Sequence, residues 1–356
     1  MRILILAPYP KGEAPSQRFR FEQYLYLFDE KGIAYDYEPF ISEQTWGILH
    51  KPGYFVQKAL GIVFAFLRRL ALLPQLGKYD FVFIHREASH IGPPIFEWLI
   101  AKVFRKKIIY DFDDAIWLPN YSEHNARFHW LKFYQKVYSI MKWSYKVSAG
   151  NDYLVSKASE YNRSVVCNPT TIDTEHYHNK VNPQAAEKPI IGWTGTLTTA
   201  KYLQELVPIL GGLEQDFEFE FQMISNEAPK FDLESFKFIP WKKESEIEDL
   251  LQFNVGVMPL TDDIWANGKC GFKALQYMAL GIPAIVSPVG VNTKIVDDGV
   301  NGFICEHPEE WYEKLSKLLA SPELRKQMGA EARKKIEDHY SVKSNTSNFL
   351  SLFDLS

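Results

Sequence analysis

The chain has 356 residues, 46% of them hydrophobic and 15% aromatic, with a formal net charge of −4. That length exceeds what one core usually fills, so two domains are expected, and the apolar content is ample for two large cores. Three cysteines, Cys167, Cys270 and Cys305, lie far apart in no metal-like spacing, which excludes a disulfide framework and points to a reduced compartment.

The charge is unevenly spread. Residues 1–165 carry 22 Lys/Arg against 16 Asp/Glu, and residues 166–356 carry 18 against 28. The basic half is therefore expected to meet an anionic surface or acceptor.

The first residues, MRILILAPYP, are too short an apolar run for a signal peptide and read as a buried strand ended by Pro8 and Pro10. Arg18 and Arg20 follow in the loop after that strand, where α/β proteins bind ligands, and are candidates for an acceptor or a diphosphate. Further strands are expected at Ile33–Pro39, Phe81–His85, Lys107–Phe112, Lys146–Gly150 and Ser164–Asn168. His85, Arg86 and Glu87 sit together at one strand end, placed to orient an acceptor or transfer a proton.

Two segments interrupt this rhythm. Residues 51–74 join an apolar body to Lys51, Lys58, Arg68 and Arg69; residues 124–146 interleave aromatics with Lys132, Lys136, Lys142 and Lys146. Such basic, aromatic helices suit the headgroup zone of an anionic membrane; the alternative is two ordinary helices with their lysines in water. No segment offers about 20 uncharged apolar residues, so none is expected to span a bilayer.

After a polar stretch at Asn179–Lys188, read as a linker, the rhythm resumes. Strands are expected at Pro189–Thr194, Phe217–Ile224, Phe236–Pro240, Val255–Pro259, Ala284–Ser287 and Gly302–Cys305. Helices are expected at Lys201–Leu213, Glu244–Phe253, Phe272–Leu280, Pro308–Ala320 and Pro322–Tyr340. The alternation predicts an α/β chain with two doubly wound parallel sheets.

Two strand–helix junctions carry candidate chemistry. In IGWTGTLTTAK, a strand ends at Thr194 and Gly195 turns the chain into a helix expected to offer free N–H groups to a phosphate, with Lys201 adding a charge. In NGKCGFKALQYMALG, Lys269 and Lys273 flank a helix entry, an unfavourable place for a cation unless an anion compensates it. Gln276 shares the helix face of Lys273.

Together GWTGTLTTAKYL, GKCGFKALQYMALGIPAIVSPVGVN and IVDDGVNGFIC resemble the second half of the retaining GT4 glycosyltransferases. The resemblance covers essentially the whole chain and is looser in the first half, where SAGNDYLVSKASEYNRSVVCNPTTIDTEHYH resembles the end of the family's first domain. It implies a GT-B fold: two Rossmann-like domains facing a central cleft. The acceptor would be held by residues 1–180, the nucleotide sugar by residues 181–340, and a last helix within 341–356 would cross back to the first domain.

Roles then carry over by position. Lys201 matches the family's diphosphate lysine, while the preceding arginine is Thr196. Of two glutamates eight positions apart, the second is Gln276, suited to a ribose hydroxyl, and the first is Gly268. Lys269 and Lys273 would replace the missing arginine. Gly195, Gly271 and Phe272 belong to the same donor turns, and Trp241, in the Pro240–Lys243 loop, is the candidate for the base. Asp113 stands where many members have a histidine near the donor sugar, with Asp114 beside it for the acceptor. An Asp-x-Asp run in the other major glycosyltransferase fold binds a divalent metal; here no metal or other cofactor is expected, and Asp111, Asp113 and Asp114 are read as hydrogen-bonding sugar hydroxyls or capping the next turn.

Catalysis is thus expected from Lys201 and Lys273 on the leaving diphosphate, with Asp113 and His85 near the sugar. Partners are a nucleotide sugar, a glycan or lipid-linked acceptor and an anionic membrane, but no nucleic acid, in a cytoplasmic protein at the inner membrane face. Two alternatives remain on the same fold: a non-catalytic nucleotide-sugar-binding or scaffold subunit, and a sugar-nucleotide epimerase.

Overall fold

The computed structural model describes residues 1–49, 51–119 and 129–355. The chain divides into two compact units, Met1–Thr170 with Thr346–Ser356, and Thr171–Asn345.

The first unit is built on six strands: β1 (Arg2–Ala7), β2 (Ala34–Pro39), β3 (Phe81–His85), β4 (Lys107–Phe112), β5 (Lys146–Ala149) and β6 (Val165–Cys167). Their order is β2-β1-β3-β4-β5-β6, and every pairing is parallel. β1 and β3 read as unbroken apolar runs because strands inside a helix-flanked parallel sheet are buried on both faces.

Four helices of this unit matter below: α1 (Pro15–Arg20), α2 (Glu43–Leu49), α3 (Phe55–Leu72) and α4 (Lys136–Trp143). Within α3 only Ala65 and Arg69 are buried. Arg69 donates from Nε to the Ala88 carbonyl at 2.9 Å and from Nη2 to the Ala7 carbonyl at 3.3 Å, and burial pushes its pKa down to about 10. It therefore ties α3 to the sheet and does not belong with Lys51 and Lys58 as a surface cation. With the turn after it, Phe55–Lys78 is long and apolar enough to cross a membrane by length and composition, which corrects the expectation that no such segment exists.

Of the segment 124–146, residues 124–128 lie outside the described residues. Lys136, expected at the surface, is buried in α4; its Nζ pairs with Glu87 at 2.9 Å and donates to the Ser89 carbonyl at 2.7 Å. A buried ammonium requires such partners, and α4 is held against the β3 loop by them.

The chain returns to this unit at its end. In helix Thr346–Ser351, Phe349 stacks on Tyr24 with ring centroids 4.3 Å apart, and Phe353 meets Phe28 edge-on at 5.2 Å.

The second unit repeats the plan with β7 (Ile190–Thr194), β8 (Glu220–Ser225), β9 (Phe236–Pro240), β10 (Val255–Met258), β11 (Ala284–Val286) and β12 (Gly302–Ile304). The order is β12-β11-β10-β7-β8-β9, again all parallel. Its helices include α5 (Val207–Leu213), α6 (Phe272–Ala279) and α7 (Pro308–Ala320). The single helix expected over 201–213 is instead a 3-10 helix, Leu197–Leu203, followed by α5, because Pro208 in the first turn of α5 begins a new helix.

Residues 179–188 are not a linker but part of this unit. Asn182 is buried and donates to the carbonyls of Leu251 at 2.7 Å and Phe253 at 2.8 Å, while Asn254 donates to Gln184 at 3.1 Å. Their polarity serves buried hydrogen bonding, which composition alone does not distinguish from solvation.

Replacing Phe349, which is 1% exposed, with Ala removes the ring that packs on Tyr24. Phe349→Ala is expected to cost roughly 3–5 kcal/mol in the denaturant unfolding of the first unit, read by chemical denaturation.

Candidate functional site

In the second unit the candidate residues gather at the carboxyl ends of the strands. Near the end of β7 Trp193 is fully buried, and the N–H of the last residue, Thr194, donates to the Tyr277 hydroxyl of α6 at 3.0 Å. That bond is possible because α6 lies very close to β10: a Cβ on Gly256 would stand 2.2 Å from the Tyr277 ring. Lys273, one turn earlier on α6, has its Nζ 5.3 Å from the centre of the Trp193 ring. The two junctions singled out in the sequence are therefore neighbours.

Gly271 is the N-cap of α6 with φ +68°, and a Cβ there would meet Ile295 at 2.2 Å, so the turn requires glycine. Phe272 follows it as the first helical residue. Lys269 lies 5.8 Å from the Trp265 ring, half-buried, and Gly268 is buried. Gln276 is 1% exposed, and its Nε2 has no hydrogen-bond partner among the described residues. Lys201 is exposed on the 3-10 helix, with Nζ 5.0 Å from the Tyr202 ring. Trp241, 37% exposed, directly follows β9, with its indole N–H 3.4 Å from Glu246.

One expectation is corrected here. The amides after β7 are not free: Gly195 N–H donates to the Ile224 carbonyl at 3.1 Å, Thr196 N–H to Thr199 Oγ1 at 3.2 Å and Leu197 N–H to Asn226 Oδ1 at 3.0 Å. Thr196 and Thr199 form a reciprocal cap at the start of this helix.

Sequence reasoning also missed a cavity of about 340 Å³ at the carboxyl ends of β10, β11 and β12. Its rim includes Asp262, Ser287 and Glu306, with Glu205 from the turn before α5 and Trp311 from α7. The signal was present: these loops each follow directly on a buried strand, where α/β folds bind ligands.

In the first unit, the DFDD run divides in two. Asp111, on β4, points inward and is 1% exposed. It accepts from Arg20 Nη2 and from Ser148 Oγ, and its Oδ2 lies 2.8 Å from His85 Nδ1. Burial works against this carboxylate's charge, and Arg20 and His85 outweigh it, holding the group well below the usual range. Asp113 and Asp114 turn the other way onto Arg86, whose Nη2 reaches each at 2.7 Å. Burial also works to lower the Arg86 pKa, but the two carboxylates raise it overall. Arg86 has φ +58°, a backbone strain on the order of 1 kcal/mol or more, sustained by this pairing and by Tyr110, whose hydroxyl donates to its carbonyl.

These placements alter several roles. Arg20 is enclosed, its guanidinium taken up by Asp111, Ser148 and the Asn168 carbonyl, so it faces the interior and not an acceptor. His85 is fully buried, and its Nε2 has no partner among the described residues. Arg18 is 9% exposed, over the Phe19 ring at 5.0 Å. Arg86, Asp113 and Asp114 keep partial exposure, with side chains 26%, 13% and 25% accessible. Reasoning from sequence placed Glu87 beside His85 and Arg86 but missed its partners: burial opposes its charge, yet Lys136 and His90 hold its pKa down to about 2.

Two parallel six-stranded sheets with flanking helices are the GT-B architecture of two Rossmann-like domains. Sucrose-phosphate synthase (tll1590) from Thermosynechococcus elongatus aligns over 99% of this chain and 98% of its own, with a TM-score of 0.71 and 13% identity. Anabaena Alr3699/HepE, solved in complex with UDP-glucose, aligns over 100% of both chains with a TM-score of 0.64 and 13% identity.

Residues 178–335, within the second unit, match the family described as Glycosyl transferases group 1. A stretch of 82 residues is 32% identical to spore coat protein SA of Bacillus subtilis (strain 168) and spans 22% of each chain.

Asp111→Asn would leave Arg20 buried without a counter-charge and is expected to cost roughly 3–5 kcal/mol at neutral pH. Because the folded pKa of Asp111 is depressed, its stabilisation is complete above the unfolded value of about 4 and is lost as pH falls from there through the folded value. Unfolding curves of wild type and variant should converge in that acid window.

Proposed function

We propose that the protein is a retaining, GT4-like glycosyltransferase that moves a sugar from a nucleotide-sugar donor to an acceptor hydroxyl, in a lipid-linked or cell-envelope glycan. The observation that carries this reading is Lys273, set over Trp193 at the mouth of α6, inside the region that matches Glycosyl transferases group 1.

Lys273, Lys269 and Lys201 would neutralise the diphosphate as its bond to the anomeric carbon breaks, an electrostatic task for pre-positioned charge. The acceptor oxygen forms the new bond on the same face, and its proton passes to the departing phosphate oxygen. No carboxylate nucleophile is then needed. Gln276 Nε2, buried and unpartnered, suits a donor oxygen such as a ribose hydroxyl once the site is occupied. Trp241 offers a partly exposed ring to a base. Arg86 with Asp113 and Asp114 would meet the acceptor, while Arg20 and His85 hold that arrangement from beneath.

The exposed face of α3, with Lys51 and Lys58 near its start, supports peripheral contact with an anionic membrane, at the cytoplasmic face of the cell membrane. No step requires a metal: Arg86 already compensates Asp113 and Asp114. The capped amides after β7, with Thr196 and Gly268 at the family's Arg and Glu positions, favour one second reading: a subunit that binds nucleotide sugar without turning it over.

Incubation with UDP-, GDP- and ADP-sugars and membrane extract separates the two. Nucleoside diphosphate release is expected with one donor, and Lys273→Ala should lower turnover or donor affinity at least about tenfold. Binding without release from any donor would support the subunit reading, and a changed sugar nucleotide without acceptor would reveal an epimerase.

A further inference from the structure

A groove of about 520 Å³ lies between α2 and α3 in the first unit, apart from the residues assigned above. Its lining includes Ile48, Leu60 and Phe64 together with Ser42, Thr45 and Arg68, and none of its described lining residues is acidic. The helices meet closely: a Cβ on Gly61 would stand 2.5 Å from Thr45 Oγ1.

The groove has an apolar exit and a polar end. Leu60 and Phe64 are 50% and 61% exposed, and Val63 and Leu67 beside them are 53% and 52% exposed. Their helical spacing makes one apolar strip that runs out of the groove along α3. At the polar end Arg68 Nη2 donates to the Phe40 carbonyl at 2.8 Å, while its buried Nε has no partner among the described residues. The Ser42 and Thr45 hydroxyls, 3.0 Å apart, line the same groove. An unpaired charged donor is costly unless an acceptor fills the space, and an anion is the acceptor that matches it.

The groove also adjoins the acceptor-side loops. Trp46 of α2 packs on Tyr9 at 4.9 Å and donates its indole N–H to Glu13 at 2.8 Å; Tyr9 in turn meets His90 at 5.0 Å. A bilayer surface alone would need only the exposed strip and nearby lysines. It would not need a groove with an orphan guanidinium N–H and paired hydroxyls.

We propose that this groove seats the lipid of a lipid-linked acceptor in which phosphate joins a hydrocarbon chain to the sugar. The phosphate lies at Arg68, Ser42 and Thr45, the chain runs over Leu60 and Phe64, and the sugar extends toward the Tyr9 loop. This rests on the reading of the first unit as the acceptor side.

The test is co-sedimentation of the full chain with neutral phosphatidylcholine vesicles carrying either a polyprenyl monophosphate or phosphatidylglycerol at matched charge. Binding is expected to favour the polyprenyl phosphate by at least about tenfold. Arg68→Gln and Gly61→Val should each abolish that preference, with nucleoside diphosphate binding unchanged as the measure of a folded protein. Equal binding to both anionic vesicles would overturn the groove and leave peripheral membrane contact standing. Binding to no vesicle, with nucleotide binding intact, would overturn both. A preference lost in Arg68→Gln, in a protein that releases no nucleoside diphosphate from any donor, would uphold the groove and remove the transferase reading.

Discussion

The buried ion pair between Arg20 and Asp111 organises the carboxyl edge of the first sheet. From α1, Arg20 reaches Asp111 on β4, Ser148 on β5 and the Asn168 carbonyl beyond β6, while Asp111 also takes His85 from β3. Consecutive strand ends therefore share one hydrogen-bonded hub. Two charges out of water are tolerated only with such complete partnering, so the hub strongly disfavours any other placement of α1. With Asp111 turned inward, Asp113 and Asp114 are left to Arg86 at the partly exposed rim. What this edge presents to a ligand is the residue of what the hub consumes.

The second unit relies on close backbone approach. Gly192 admits the Phe253 ring and Gly256 the Tyr277 ring, each at a separation no Cβ would permit. Tyr277 then reaches the Thr194 N–H, and the same helix carries Lys273 to Trp193. A cation is thereby held at the sheet edge before any ligand arrives. The groove between α2 and α3 also depends on close approach, since Gly61 lets the two helices meet at Thr45.

Much of this was legible in the chain itself. All twelve strands stand where the sequence reading put them, within a few residues at their ends, and the central ones are apolar runs because strands buried on both faces leave little freedom of composition. The turn before α6 was legible for a related reason: Gly271 sits at positive φ, and few other residues could occupy that turn. Misreadings fell on polar residues. Asn182, Gln184, Arg69 and Lys136 look solvated in sequence but are buried with specific partners. The amides of residues 195–197 looked available, yet the Ile224 carbonyl and the Thr199 and Asn226 side chains had already claimed them.

By itself, the sequence determined the βα alternation, the two-sheet plan and the strand ends at which chemistry gathers. These follow from local periodicity, which burial imposes on each segment separately. Only the tertiary structure decided which charges face inward. Arg20 and Asp111 are 91 residues apart, and Lys136 and Glu87 lie on separate elements, so their pairing depends on strand order and helix placement. The physical reason is that a charged side chain carries no local mark of its destination. Whether it meets water, a partner or a ligand is set by the groups the fold brings within reach.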